Sequence, residues 1–83
     1  MAKRRHACPV CGYHTLPARC DWDICPVCFW EDDLSQFEEP DYDGGPNRIS
    51  LLEARENFAR FGVAELQHRR NVRRPRPEEH PPA

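Results

Sequence analysis

Four of the five cysteines in this chain sit in two identical tetrapeptides, Cys8-Pro9-Val10-Cys11 and Cys25-Pro26-Val27-Cys28, with thirteen residues between them. A C-x-x-C pair can wrap a tight turn around an ion and present both thiolates to it, and two such turns close a tetrahedral four-sulfur shell. The pattern predicts one Zn²⁺ held by Cys8, Cys11, Cys25 and Cys28, with backbone N–H groups of the turns aimed at the sulfurs. Pro9 and Pro26 preset φ inside each turn, and Gly12 is free to take the positive φ on which such a turn ends. Phe29 holds the matching place in the second turn, so that turn is expected either to run differently or to be strained.

A metal suits the size of the chain. With 83 residues, 39% of them hydrophobic and 31% charged, and with nine prolines, there is room for one domain whose apolar core is marginal without a staple. Five thiols, four of them in C-x-x-C pairs, favour a metal over disulfides. The basic N-terminus runs into a cysteine turn without the apolar stretch of a secretory signal. No run of about 18 apolar residues exists for a membrane span. A cytoplasmic protein with reduced thiols is therefore expected.

Charge is balanced overall at −2 but arranged in blocks. Residues 20–45 carry nine acids and neither Lys nor Arg; Lys3, Arg4 and Arg5 lie before them, and Arg69, Arg70, Arg73, Arg74 and Arg76 after. Four thiolates around a divalent cation make the central part still more negative.

Periodicity marks one clear helix, about Leu51 to Phe61. Ser50 and Glu53 form a capping box, and Gly62 is placed to end the helix. Leu51, Ala54, Phe58, Ala59 and Phe61 form an apolar stripe that Arg55 touches by its stem. Residues 30–47, rich in Pro, Asp and Gly, read as a turn or irregular connection instead of a helix. A short helical turn is expected within 64–71. The organisation predicted is a basic lead (1–7), a cysteine-rich domain (8–66) and a flexible Arg/Pro-rich tail (67–83). The fold class expected is a small α+β metal-bound domain: a zinc-ribbon or rubredoxin-like double knuckle with a short β-hairpin and one packed α-helix. Phe29, Trp30 and Phe37 are expected to pack on Leu52, Phe58 and Phe61 as its core.

Other chemistries fit less well. Cys8 to Tyr13 resembles a rubredoxin knuckle and an S₄ site can hold iron, but rubredoxins have a longer insert and a glycine where Phe29 stands. Thiol redox lacks a βαβ setting. The Asp41 to Gly45 stretch lacks the twelve-residue ligand spacing of an EF-hand. Cys20 reads as a free thiol, and His6 and His14 as bystanders beside a shell that four thiolates saturate. No nucleophile and base pattern is visible, and a sealed S₄ zinc offers a substrate no coordination position, so no enzyme is expected.

The runs from Cys8 to Leu16 and from Ile24 to Asp33, then Glu38 to Gly45 and the helix from Ser50 to Gly62, together resemble the bacterial cysteine-rich CPCC domain family over about Cys8 to Glu65. One departure is Val10, where the family name implies a third cysteine. The resemblance implies a small zinc-binding fold and a stand-alone cytoplasmic module, and carries over no catalytic residue.

Two binding roles are consistent with these features. In the first, Trp30, Glu31, Asp32 and Asp33 form part of an aromatic and acidic surface that anchors a partner protein. In the second, Arg69, Arg70, Arg73 and Arg74 bind nucleic acid, which the acidic knuckle region opposes. The first is the principal expectation; rubredoxin-like electron transfer is a further alternative.

Overall fold

The computed structural model describes residues 5–81; Lys3 and Arg4 of the basic lead, and the last two residues of the tail, lie outside them. Strand β1 (His6–Ala7) pairs antiparallel with β2 (His14–Leu16) through a register irregularity. The first cysteine turn is the loop of this hairpin. Cys8 N–H donates to Tyr13 O at 2.9 Å and Gly12 N–H to Cys8 O at 2.9 Å.

The second turn repeats this pattern residue for residue. Cys25 N–H donates to Trp30 O at 2.9 Å and Phe29 N–H to Cys25 O at 2.8 Å, and an isolated bridge pairs Ile24 with Glu31. Gly12 has φ +79° and Phe29 φ +70°, so the second knuckle turns as the first does, with a bulky residue held in the left-handed region that glycine prefers. Phe29 tilts over His68 at 4.4 Å between ring centroids.

Helix α2, the helix foreseen from the sequence, spans Leu51–Phe61: the Ser50 hydroxyl accepts from Glu53 N–H at 3.1 Å, and Gly62 caps the other end at φ +75°. Leu51 and Ala54 are buried in the core, whereas Leu52 and Phe61 are about half exposed. Arg55 does more than lay its stem along the stripe, since its Nε donates to Pro9 O at 2.8 Å and ties α2 to the first knuckle. Past the helix, Ala64 N–H donates to Cys28 O at 2.9 Å. The chain between the two knuckle contacts thus grips both halves of the cysteine cluster. The short helical turn expected after α2 is a 3₁₀ turn at Leu66–His68.

Two stretches differ from expectation. The acidic connection contains a short helix, α1 (Leu34–Glu38), capped by Asp33, whose carboxylate accepts from Gln36 N–H at 3.0 Å. Gln36 is fully buried. Its amide donates to Tyr42 O and Ile49 O at 2.9 Å each, and its Oε1 accepts from Asn47 Nδ2 at 2.8 Å. Asn47 Nδ2 donates also to Glu31 O at 2.8 Å, and its Oδ1 accepts from Glu31 N–H at 3.0 Å. These two amides order a glycine-rich loop that has almost no apolar material.

The second difference lies in the stretch expected to be a flexible tail. Arg73 N–H donates to Pro26 O at 3.0 Å. Its guanidinium forms a bidentate pair with Glu79 at 2.8 and 2.9 Å, and Arg76 N–H donates to the same carboxylate at 2.7 Å. Glu79, in a 3₁₀ turn at Pro77–Glu79 that packs on β2, is only 4% exposed, and His80 stands edge-on to Tyr13 at 5.2 Å. Composition had argued against order because there is little apolar surface; fork-to-fork charge pairing supplies the order instead.

The core cluster comprises Cys8, Leu16, Cys25, Val27, Cys28, Trp30, Leu51, Ala54 and Ala64, with Val10, Cys11, Tyr13, Ile49 and Phe58 partly buried against it. Of the aromatic residues expected in the core, Trp30 lies at its centre, 1% exposed, and Phe58 packs edge-on against Tyr13 at 6.4 Å. Phe37, by contrast, is 44% exposed, since α1 turns Gln36 inward instead.

Candidate metal centre

The two cysteine turns face one another across the core. All four Sγ atoms lie within 4.8 Å of one another, with Cys8 to Cys28 at 3.5 Å and Cys11 to Cys25 at 3.7 Å. A tetrahedral ion bound at about 2.3 Å to each of four sulfurs requires edges of about 3.8 Å. The cysteines are positioned to hold a metal ion, and four soft thiolates suit zinc or iron. Among the described residues this is the sole cluster of metal-ligating side chains.

Cys8, Cys25 and Cys28 are at most 1% exposed and Cys11 is half-buried. As thiols the four bond one another unequally. Hydrogen bonding with Cys11 and Cys25, together with burial, pushes the Cys8 thiol up. The same bonding with Cys11, Cys25 and Cys8 pushes Cys28 up. Cys25 goes the other way, far below the ordinary thiol value, because its sulfur accepts from Cys11, Cys28, Cys8 and Thr15.

Thr15, buried on β2, has its Oγ1 3.0 Å from Cys25 Sγ. A hydroxyl donated to a thiolate lowers its charge density and fixes its orientation. Backbone N–H groups were expected in this role. The knuckle N–H groups of Gly12 and Phe29 donate to the Cys8 and Cys25 carbonyls. Thr15 was not singled out in the sequence; it is buried beside Leu16 on β2.

The remaining candidates fall outside the cluster. His6 Nδ1 accepts from Arg19 Nε at 3.3 Å. Cys20 is separate from the four; its backbone N–H donates to Asp32 Oδ2 at 2.6 Å, and burial, then Asp32 and Asp33, push its thiol up. Of the acidic surface group, Trp30 is in the core, and Asp32 and Asp33 are buried at 3% and 8% exposure. Burial raises the Asp32 carboxyl. Asp33 accepts from Trp22 Nε1 at 3.2 Å besides capping α1. Of that group only Glu31 keeps a partly exposed side chain. Arg69, Arg70 and Arg74 are exposed, while Arg73 is held by Glu79.

No helix among the described residues is long and apolar enough to cross a membrane. The Cysteine-rich CPCC family model matches residues 6–79, and the match includes the C-terminal segment that packs on the second knuckle. No curated protein matches the chain. The chain belongs to the Cysteine-rich CPCC family.

Proposed function

From that membership and the geometry of the cluster, we propose that the chain is a structural zinc module of double-knuckle, zinc-ribbon type that acts in the cytoplasm by binding another protein. The observation that carries the structural role is the position of the sulfurs. They are continuous with the apolar core, so an ion there cross-links the two knuckles, which α2 and the C-terminal segment contact at Pro9 and Pro26, and a saturated S₄ shell leaves no coordination position for a substrate. On this reading the protein is not an enzyme. The exposed apolar side chains Trp22, Leu34, Phe37 and Tyr42 support a binding role, since a chain short of core material leaves them outside it.

Nucleic-acid binding through Arg69, Arg70 and Arg74 is less well supported, because Arg73 is engaged by Glu79 and acidic residues dominate the knuckle side. Iron electron transfer would use the same four sulfurs. Metal analysis of reduced protein, with thiol counts before and after chelation, separates these readings. One zinc per chain, with Cys20 alone reactive until the metal is removed, is the expected result. A red, redox-active iron protein, or paired thiols in place of a metal, would overturn it.

A further inference from the structure

The proposed binding role leaves open which surface does the binding. The loop before the second knuckle and the acidic connection leave apolar side chains exposed around the start of α1. The hydrogen bond from Trp22 Nε1 to Asp33 sets the indole beside the start of α1. Leu34 and Phe37, one helical turn apart, are exposed on α1, opposite to its buried residue Gln36, which holds the backbone carbonyl of Tyr42. Trp22 is 64% exposed, Leu34 51%, Phe37 44% and Tyr42 41%. Glu38, Glu39, Asp41 and Asp43 are exposed on the same connection, as is Asp21 next to Trp22, and no Lys or Arg lies between positions 20 and 45.

The surrounding framework is rigid. Asp33 and Gln36 fix α1, and Asn47 fixes the loop behind it, so the face is presented at little ordering cost. We propose that this face docks a basic segment of another protein, one in which Lys or Arg residues are interspersed with apolar side chains. This deepens, and rests on, the reading of the chain as a protein-binding module. Apolar residues of the partner sit on Leu34 and Phe37. A cation lies over the Trp22 ring, and the ring of carboxylates steers the approach and excludes acidic competitors.

The test uses full-length, metal-loaded protein and fluorescence anisotropy of a labelled synthetic peptide of Lys and Arg with Leu at every third or fourth position. A peptide with Glu in place of the basic residues and an oligo-Lys peptide without Leu serve as controls. The mixed peptide is expected to bind, more weakly as salt is raised, and the controls to bind at least about tenfold more weakly. Leu34→Ser with Phe37→Ser is expected to weaken binding at least about tenfold. Both side chains are exposed, so the melting curve should be kept. The matched pair Phe61→Ser and Leu66→Ser, on exposed sites elsewhere, should leave binding unchanged. If the second pair abolishes binding and the first does not, this face is the wrong one while the protein-binding role stands. If no peptide binds and a single-stranded oligonucleotide does, both readings fall. Concentration-dependent self-association in sedimentation that Phe37→Ser removes would make the occupant a second copy of this chain and overturn the assignment to a foreign partner.

Discussion

Replacing Phe29 by glycine and, separately, by alanine measures the strain stored in the second knuckle. A non-glycine residue in the left-handed region costs about 1–2 kcal/mol, and glycine loses about 0.4–1 kcal/mol more than alanine through unfolded-state entropy. At φ +70° the glycine variant should therefore be the more stable of the two by about 0.5–1 kcal/mol. Both lose the ring. Half burial of a phenylalanine is worth about 1 kcal/mol, and its contact with His68 at 4.4 Å adds about 0.5–1.5 kcal/mol. Phe29→Ala should thus cost about 2 kcal/mol and Phe29→Gly distinctly less. Gly12→Ala isolates the strain alone. A Cβ there meets nothing within 4 Å, so its cost of about 0.5–1 kcal/mol is conformational. The assay is thermal unfolding of metal-loaded, reduced protein at one fixed free-metal concentration, because metal binding and folding are linked. Each kcal/mol should appear as about 4–8 °C in Tm for a domain of this size. A Phe29→Ala protein more stable than Phe29→Gly would refute the reasoning, since that order belongs to an ordinary backbone position.

Thr15→Val keeps the buried volume but removes the hydroxyl 3.0 Å from Cys25 Sγ; metal affinity, read by competition with a chromogenic chelator, should fall by about 10–100-fold. Cys25→Ser, which removes a fully buried sulfur of the cluster, should abolish cooperative melting and shift the emission of buried Trp30, and an unchanged melting curve would remove it from the ligand set. Glu79, held at about 2 against an ordinary 4.5 first by the Arg73 guanidinium, contributes stability that is fully present above pH 4.5 and lost as pH falls through 2. Glu79→Gln should therefore cost on the order of 1–2 kcal/mol at pH 7, and the gap between the two proteins should close toward pH 2. A gap that stays constant with pH would mean the pairing is not charge-dependent. Asn47→Ala strips partners from buried Gln36 and from the Glu31 backbone, so a loss of about 2–4 kcal/mol is expected, with hydrogen exchange accelerated across residues 39–49.

The cysteine cluster and α2 were legible because each is written in local spacing. Two C-x-x-C turns need only tight-turn geometry to present their sulfurs, and the Ser50 and Glu53 positions with Gly62 beyond mark a helix wherever it packs. Helix α1 was not legible, since five residues with one buried side chain, Gln36, give no periodicity. Nor was the order of the C-terminal segment, because no composition rule weighs one arginine finding one glutamate, Arg73 and Glu79, against a proline-rich background. The acidic run from Glu31 to Asp33 misled for a related reason: it looks like surface, yet Asp33 is consumed in capping α1 and holding Trp22, and Asp32 in accepting from Cys20.

By itself, then, the sequence determined which four cysteines come together and one helix with its ends, since these follow from residue type and spacing along a few neighbouring positions. The tertiary structure alone decided which aromatic residue fills the core, which acids are spent inside, and that Thr15 on β2 lies against Cys25 of the second knuckle. Those outcomes depend on which groups meet after the chain closes around the four sulfurs, and side chains distant in sequence compete there for a volume too small to hold them all.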